Sequence, residues 1–357
     1  MVAMDNGSKI LILLAIGFVL LGGILAAINF WPAATSEVVT NSLANSDENN
    51  QRQVADYFNI PQKQTADIKV EVPKTLFFVG DMMLSRWVGA KATKQGDWVW
   101  PFLPIKDFLA GADLTVGNLE GVISDKGHNV GSAYSFRAAP QMIQGLQAAG
   151  FDLVTLANNH VGDWTRVAFE DCLNRLIQVG IGFFGTGWNF SEAHQATIAQ
   201  VGDVKIGFLA YTNIAPAPMY ATDKQSGVAK MDLAQLVKDV VTAKQQADIV
   251  VVQMHVGVEY AAHPNKTQQD FAHTAIDAGA DLVVGHHPHV IQDLEQYQNK
   301  YIAYSLGNFI FDQDFSQETS HGWMLKVLVK DKKIVEVTPI DVYISKDFQV
   351  GLQPALE

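Results

Sequence analysis

Cysteine is almost absent from this sequence of 357 residues, since Cys172 is the only one. A single cysteine excludes an intrachain disulfide and a structural zinc site built from several thiolates. Long runs of lysine and arginine are missing as well, and the formal net charge of -12 disfavours nonspecific binding to nucleic acid. No glycine-rich phosphate loop with its lysine is present, which argues against a nucleotide-binding function.

One long apolar run, from Ile10 to Trp31, stands near the N-terminus and contains no charged residue. At about 1.5 Å per residue, a helix of this length covers the roughly 30 Å hydrocarbon core of a bilayer. Lys9 precedes the run, whereas the twenty residues after it contain acidic residues but no Lys or Arg. The positive-inside rule therefore places residues 1–9 in the cytoplasm. We expect a single-pass anchor at residues 10–31 in the cytoplasmic membrane and an extracytoplasmic C-terminal domain. The alternative is a cleaved signal peptide.

The rest of the chain divides into three segments by composition. Residues 32–72 are rich in Ser, Thr, Asn, Gln and acids, which is typical of a flexible stalk. Residues 73–345 alternate short apolar runs with amphipathic segments, the rhythm of βαβ units in an α/β domain. Within them, residues 323–343 alternate apolar and polar side chains and predict a hairpin that closes one sheet edge. We expect residues 346–357 to form a C-terminal tail.

The same patterns predict the approximate bounds of the main elements. Helices are expected near residues 105–110, 141–149, 166–179 and 233–246. Strands are expected near residues 181–184 and 205–211, and at the apolar runs TLFFVGD, DLTVGNLE, DLVTLANNH, DIVVVQMH, DLVVGHH and YIAYSLGN.

Five short motifs place His, Asp, Glu or Asn where an apolar strand is expected to end. They are Gly80-Asp81, Gly117-Asn118-Leu119-Glu120, Asn158-Asn159-His160, His255-Val256-Gly257-Val258-Glu259 and Gly285-His286-His287-Pro288-His289. Open α/β sheets bind ligands beyond the carboxyl ends of their strands, so residues far apart in sequence can converge there. Nitrogen and oxygen ligands without thiolate favour Mn, Fe or Zn. The sequence therefore predicts a centre for one or two divalent transition-metal ions.

Taken alone, most of these motifs have an ordinary explanation. Asp81 could be a capped strand-end acid, Glu120 a solvated loop acid and His255 a hydrogen-bonded core residue. The segment from Gly285 to His289 is harder to explain in this way, because it has three histidines in four positions. In an extended chain His287 and His289 would point to the same side, as two ligands of one ion do.

In their order and spacing, these residues resemble those of the CapA or PgsA-like proteins of poly-γ-glutamate capsule synthesis. The resemblance runs from about Leu76 to Asp312 and also includes Pro101-Phe102 and the segment Ser305-Leu306-Gly307-Asn308-Phe309. The domain of that family looks like a divergent calcineurin-type metallophosphoesterase. The resemblance implies an α/β sandwich of two packed sheets flanked by helices, preceded by one N-terminal transmembrane helix.

The resemblance also implies roles for individual residues. His160 would be the acid near the leaving group, and Glu259 would assist catalysis or contact the substrate. Met83 stands where the Asp-x-His motif of the wider phosphoesterases supplies a ligand. The implied metal ligands are Asp81, Glu120, Asn159, His255, His287 and His289.

Three further residues are candidates for substrate contact. The guanidinium of Arg137 can bind a carboxylate or phosphate through paired hydrogen bonds, although it could also be a plain surface residue. Ser305 and Asn308 stand at another predicted strand end. Because the negative net charge repels a polyanion such as polyglutamate, we expect binding only in a confined groove near the metals and Arg137. The histidines assigned to surface or structural roles are His128, His194, His263, His273 and His321, with His263 and His321 the candidates for a different role.

Three functions fit these residues. The resemblance implies a membrane-anchored component of poly-γ-glutamate capsule synthesis or export, working beside a cytoplasmic ligase and a membrane channel subunit. An alternative is a metal-dependent hydrolase, unrelated to a capsule, that acts on a phosphoester or a γ-glutamyl amide. A third is a metal-stabilised scaffold without turnover, which would not need His160.

Overall fold

The computed structural model describes residues 72–352. The expected anchor at residues 10–31 and nearly all of the expected stalk lie outside this part of the chain. None of the helices within residues 72–352 combines the length and apolar character that a membrane crossing requires.

The described residues form eighteen strands, seven α-helices and four short 3-10 helices. The strands are β1 (Lys74–Met82), β2 (Leu114–Leu119), β3 (Val122–Ile123), β4 (Arg137–Ala138), β5 (Leu153–Thr155), β6 (Gly182–Phe184), β7 (Thr186–Gly187), β8 (Thr197–Val201), β9 (Val204–Thr212), β10 (Gly227–Val228), β11 (Ile249–His255), β12 (Leu282–His286), β13 (Leu294–Tyr297), β14 (Lys300–Ala303), β15 (Asn308–Ile310), β16 (His321–Lys330), β17 (Lys333–Ile344) and β18 (Val350–Leu352). The α-helices are α1 (Arg86–Gln95), α2 (Lys106–Leu109), α3 (Ile143–Ala148), α4 (Thr165–Val179), α5 (Phe190–His194), α6 (Leu233–Lys244) and α7 (Lys266–Asp277). The 3-10 helices are Trp100–Phe102, Pro140–Met142, Ala217–Met219 and Glu318–Ser320.

Two large sheets contain most of these strands. The first has eight strands in the order β18-β17-β16-β1-β2-β5-β6, and β15 pairs with the end of β1. The second has six strands in the order β13-β14-β12-β11-β9-β8. The central strands β1, β2 and β5 are parallel to one another, as are β9, β11, β12 and β14. Each sheet therefore has a set of parallel strands whose carboxyl ends lie at one edge.

The two sheets pack against each other through apolar side chains. Phe78 of β1 and Phe208 of β9 belong to one continuous core, with their ring centroids 6.3 Å apart. On the other face of the second sheet, Leu209 packs in a separate core with Leu236 of α6 and Phe271 of α7. Adjacent strand residues point to opposite faces of a sheet, so Phe208 packs in the core between the sheets and Leu209 packs in the core on the other face.

A helix also covers the first sheet on its outer side. Phe108 of α2 stacks on Phe77 of β1 with ring centroids 5.2 Å apart. Phe77 is buried whereas Phe108 is 41% exposed, and a stacked aromatic pair contributes about 0.5–1.5 kcal/mol to holding the helix on the sheet. The predicted mixed α/β fold with more than one sheet is confirmed.

The predicted hairpin is present as β16 and β17, and among the described residues it forms one side of the first sheet as expected, except that Val342–Ile344 of β17 pair with one more short strand, β18. β16 pairs with β1, whereas β17 pairs on its far side with β18. The sheet therefore continues to Leu352, beyond the expected domain end at residue 345. A strand of three residues is too short to give a recognisable alternation in the sequence.

Candidate metal centre

The carboxyl ends of the parallel strands bring the predicted motifs together. In the first sheet, Asp81 of β1 is in register with Asn118 of β2 and with Asn308 of β15. In the second sheet, His255 of β11 is in register with His286 of β12. The two edges meet, because Nδ2 of Asn118 donates to Oδ1 of Asp81 at 2.8 Å and lies 3.1 Å from Nδ1 of His255.

Close backbone packing explains the glycines in two of the motifs. A Cβ atom on Gly80 would collide with the carbonyl oxygen of Gly307, and one on Gly285 would collide with that of Tyr304. Only glycine lets the neighbouring chain approach so closely at these points. The glycines therefore allow the backbone before Asp81 to pack directly against Gly307, and the backbone before His286 to pack directly against Tyr304.

The two asparagines before His160 have different partners. Asn158 is fully buried, and its Nδ2 donates to Oδ1 of Asn118 at 3.2 Å and to the carbonyl oxygen of Leu119 at 2.8 Å. Asn159 instead places Oδ1 2.8 Å from Nε2 of His255. Asn158 thus fixes the loop, while Asn159 and His255, both predicted ligands, face each other.

His287 and His289 reach the site by a route that the sequence did not predict. Strand β12 ends at His286, and both later histidines have left-handed backbones, with φ of 98° at His287 and 59° at His289. The expectation that they alternate along an extended segment is therefore wrong, although their rings lie 5.8 Å apart. Such conformations cost about 1–3 kcal/mol each and persist where the surroundings enforce them, often at functional sites.

Asp81 lies at the centre of the cluster. The N–H of His287 donates to its Oδ2 at 3.1 Å, and Nδ1 of His289 lies 3.4 Å from the same oxygen. Nδ1 of His286 is 3.1 Å from Oδ1, but it lacks the orientation of a hydrogen bond. Burial alone would raise the pKa of Asp81; the contacts with His286 and His289 outweigh it and hold the pKa well below its usual range. Asp81 is therefore a carboxylate.

Glu120 is the least satisfied group of the cluster. Both of its carboxyl oxygens are buried without a hydrogen-bond partner among the described residues. The nearest ring nitrogens are Nε2 of His160 at 3.7 Å and Nε2 of His289 at 3.8 Å. Burial, reinforced by the charges of Asp81, Glu259 and Asp163, raises the pKa of Glu120 well above its usual range, against the opposing charge of His289.

The histidines differ in charge. Burial and the neighbouring histidines lower the pKa of His255 well below its usual value, and burial with the charge of His289 lowers that of His287 to about 4. Both rings are neutral at pH 7, which is the form that binds a metal. Burial would also lower the pKa of His289, but Glu120 and Asp81 beside it raise the value to about 9.

The donor atoms fit a cation. Donor atoms of Asp81, Glu120 and His289 all lie within 4.8 Å of one another, and so do those of Glu259, His287 and His289. The oxygens of Glu120 and Nδ1 of His287 are buried without a hydrogen-bond partner in the described part of the chain, and a positive ion would satisfy them. These residues form a candidate divalent-metal centre at the meeting edge of the two sheets. All six predicted ligands lie in this cluster or, for Asn159 and His255, are hydrogen-bonded beside it.

His160, the predicted acid, lies beside Glu120, and contacts at its Nδ1 and at its ring face fix its position. Its Nδ1 is 2.7 Å from Oδ2 of Asp163, and its ring stacks on Phe136 with centroids 3.8 Å apart. The same Asp163 oxygen accepts the N–H of Phe136 at 2.9 Å. Asp163 was not predicted from the sequence, although its position three residues after His160 is a signal that could have been used. This pair leaves Nε2 of His160 directed toward the cluster.

The predicted substrate-contacting residues have other partners. Arg137 lies over the ring of Trp164 at 3.5 Å and donates to the carbonyl oxygen of Lys126. Ser305 is fully buried and donates to the carbonyl oxygen of Val290, so the structure does not support a substrate contact for it. Asn308 is also fully buried, and its Oδ1 lies 3.0 Å from Nδ1 of His289. Asn308 therefore orients a predicted ligand and has no exposed surface for a substrate.

A cavity of about 210 Å³ opens directly onto the cluster. His160, Glu259 and His289 line it, together with Arg86 and several aromatic side chains. A wider cleft of about 680 Å³ shares Tyr260 and Phe315 with this cavity and extends to His321. Arg86 was missed in the sequence, where the only signal was its position shortly after Asp81.

Two packed β-sheets covered by helices, with carboxylates and imidazoles clustered at one edge, define the class of this protein. It is an α/β sandwich with a candidate metal centre. The particular family follows from sequence comparison. The family model described as "Bacterial capsule synthesis protein PGA_cap" matches residues 75–313, and this chain belongs to that family.

Relatives of known name support the assignment. The chain is 32% identical over 279 residues to "Capsule biosynthesis protein CapA" of Bacillus anthracis, covering 75% of this chain and 67% of that protein. It is 32% identical over 270 residues to "PGA biosynthesis protein CapA" of Bacillus subtilis (strain 168), covering 74% of this chain and 71% of that protein. The predicted CapA-like family is confirmed.

Solved structures with low sequence identity also align. A hypothetical protein from Thermus thermophilus aligns with a TM-score of 0.49 at 17% identity, covering 75% of this chain and 98% of that one. The Haemophilus influenzae NAD nucleotidase (NadN) aligns with a TM-score of 0.45 at 11% identity, covering 80% of this chain and 60% of that one.

Proposed function

We propose that this protein is a membrane-anchored, extracytoplasmic component of poly-γ-glutamate capsule synthesis or export, and that its sheet-edge cluster holds one or two divalent transition-metal ions. Membership of the capsule synthesis family and the names of the two Bacillus relatives support the capsule role. The uncharged apolar run at residues 10–31, with Lys9 before it, supports the anchor and its orientation.

One observation carries the metal part of the proposal. Glu120 is buried with neither oxygen hydrogen-bonded among residues 72–352, yet it stands beside Asp81 and His289. Burying an unpaired carboxylate is expensive, and a bound cation removes that cost. The residues that would hold ions are Asp81, Glu120, Asn159, His255, His287 and His289.

When bound, a divalent ion polarises a phosphoryl or carbonyl oxygen and lowers the pKa of a bound water. The chain's own residues would then position the substrate and move protons. Asp163 holds Nδ1 of His160, so that Nε2 is left to protonate the leaving group. Glu259 is exposed at the mouth of the cavity, where it would contact the substrate or accept a proton.

The substrate in this proposal is an anionic polymer, poly-γ-glutamate, cut or transferred at a γ-glutamyl amide. A cytoplasmic ligase and a membrane channel subunit would be its partners. With a net charge of -12 the protein repels a polyanion at long range, so binding is confined to the cavity beside the metal centre.

A complementation experiment tests the proposal. A capsule-forming strain that lacks its own copy of this gene would receive wild type, His160→Ala or His263→Ala, the last being an exposed histidine that pairs with Asp293. We expect wild type and His263→Ala to restore surface poly-γ-glutamate and His160→Ala to fail at equal protein level. Restoration by His160→Ala would point to the scaffold function, and no restoration by wild type would contradict the capsule role.

The second candidate is a hydrolase unrelated to a capsule, which the unsatisfied metal cluster beside a cavity also favours. It predicts turnover of phosphoesters by the purified protein and no effect on surface polymer. Assays of both on the same variants separate the two candidates.

A further inference from the structure

Arg86 is the first residue of α1 and has an unusual backbone conformation. Its φ is 48°, in the left-handed region that residues other than glycine rarely adopt. Asp312, whose side chain is fully buried, holds it there: Oδ2 is 3.2 Å from Nε of Arg86 and accepts the N–H of Trp87 at 3.1 Å. A strained residue fixed by a buried carboxylate has its side-chain direction set by the fold.

That direction is into the cavity at the metal centre. Arg86 lines it together with His160, Glu259 and His289, and within residues 72–352 it is the one Lys or Arg side chain that lines this cavity. Nε lies beside Oδ2 of Asp312, and no residue between 72 and 352 forms a hydrogen bond with the two terminal nitrogens. The side chain is 32% exposed. The terminal nitrogens can therefore bind an oxyanion through two parallel hydrogen bonds.

Aromatic side chains surround this cation. The guanidinium carbon lies 5.7 Å from the ring centre of Tyr134 and 5.6 Å from that of Phe136, whose ring also stacks on His160. Tyr134 is 65% exposed and Phe315, on the same cavity, 66% exposed. Exposed aromatic rings at a cavity mouth offer apolar surface to the aliphatic part of a ligand.

The terminal nitrogens of Arg86, the exposed aromatic rings and the metal centre together fit one kind of ligand. It would have an oxyanion, a short aliphatic spacer and a reactive group near the metal centre. We propose that Arg86 binds the α-carboxylate of a γ-linked glutamyl unit and thereby places the adjacent γ-amide at the metal centre. In such a chain a few methylene groups separate each carboxylate from the amide. This inference rests on the proposed function and names the residue that selects its substrate.

Ligand binding to the full chain in detergent tests the inference. The probes are a synthetic γ-linked glutamyl pentamer and the same pentamer with its α-carboxylates converted to carboxamides, with Kd measured by calorimetry. The variants are Arg86→Gln and the matched control Arg137→Gln, which removes an arginine already engaged by Trp164 and Lys126. Metal content and thermal unfolding are measured on each sample.

We expect wild type and Arg137→Gln to bind the carboxylate pentamer at least about tenfold more tightly than the carboxamide pentamer. Arg86→Gln should lose this preference and keep its metal. Arg86→Lys retains a charge toward Asp312 but not the planar pair of donors. If Arg86→Gln does not fold, the same loss of preference in folded Arg86→Lys supports the proposal.

Other outcomes overturn it. An unchanged preference in folded Arg86→Gln, or in folded Arg86→Lys where the Gln variant does not fold, would reject the role of Arg86 and leave the proposed function intact. Metal-loaded wild type that binds neither pentamer would reject the polymer substrate and with it this inference. Tighter binding of phenyl phosphate than of the carboxylate pentamer, lost in Arg86→Gln, would show an oxyanion site for phosphoesters and reject the carboxylate assignment.

Discussion

Two buried clusters of histidine and carboxylate in this protein use similar residues and differ in how many partners they have. In the first, Asp239 of α6 accepts from Tyr211 at 2.8 Å and from Gln235 at 2.7 Å, and it pairs with Nδ1 of His194 at 2.8 Å. Both of its oxygens are used. In the second, at the sheet edge, Glu120 has no hydrogen-bond partner among the described residues for either oxygen.

The difference in hydrogen-bond partners indicates a structural role for the Asp239 cluster and a functional role for the Glu120 cluster. A fully satisfied network fixes the elements that contribute to it, here α5, α6 and β9. A buried carboxylate left unsatisfied in a folded protein requires an explanation, and a bound cation is one that the neighbouring imidazoles support. Residue type alone does not distinguish the clusters, whereas the number of hydrogen-bond partners does.

The largest effect should come from breaking the satisfied cluster. Asp239→Ala leaves His194, Tyr211 and Gln235 without their shared acceptor, and we expect a loss of about 3–5 kcal/mol in the free energy of unfolding. Denaturant unfolding of the metal-loaded protein measures it, and metal content per folded molecule should not change. A loss below about 1 kcal/mol would mean that this cluster contributes little to stability.

A smaller effect is expected from loosening His160. Asp163→Asn keeps the size of the side chain but removes the charge that orients Nδ1 of His160. It should lower turnover of the proposed γ-glutamyl substrate by about 10–100-fold. Elemental analysis and thermal unfolding serve as controls, since neither should change much. Activity equal to that of wild type would show that the pair of Asp163 and His160 is not used in the reaction.

Glu120 should affect the stability of chelator-treated protein in a pH-dependent way. Because its folded pKa is raised, the native state holds a proton that the unfolded state releases above about pH 4.3, so stability falls as pH rises from there toward the folded pKa. Glu120→Gln should remove this part of the pH dependence and be about 1–2 kcal/mol more stable than wild type at high pH. Denaturant unfolding across pH 4–9 checks it; a variant less stable than wild type at high pH would contradict it.

The smallest effect is expected for a carboxylate with full access to water. Asp270 of α7 pairs with Lys266 one turn away, and both side chains are about half exposed or more. Asp270→Ala should change the free energy of unfolding by less than about 0.5 kcal/mol. A loss as large as that of Asp239→Ala would undermine the view that burial and partner number decide the contribution of a carboxylate.

The sequence predicted the convergence of Asp81, Glu120, His255 and His289 because parallel strands end at a common edge, a rule that needs no coordinates. It also predicted helix α4 to within one residue, as residues 166–179 against the observed Thr165–Val179. The helix follows from a pattern along a single element, and the convergence follows from where several strand patterns end.

What was missed depends on contacts between distant segments. The left-handed backbones of His287 and His289, the short strand β18 and the orientation of Arg86 by Asp312 leave no periodic signal in the sequence. The sequence predicted Arg137 as an anion contact and did not indicate Arg86, because which guanidinium faces the cavity depends on the fold. Only the fold shows that Trp164 and Lys126 already engage Arg137.

The most direct test of the central claim is the metal content of the full chain, purified in detergent without chelator, for wild type, the double variant Glu120→Gln with His289→Ala, and His194→Gln from the satisfied cluster. We predict roughly one or two equivalents of divalent transition metal in wild type and in folded His194→Gln, and almost none in the double variant. Well-folded wild type without metal, or a double variant that keeps its metal, would contradict the account.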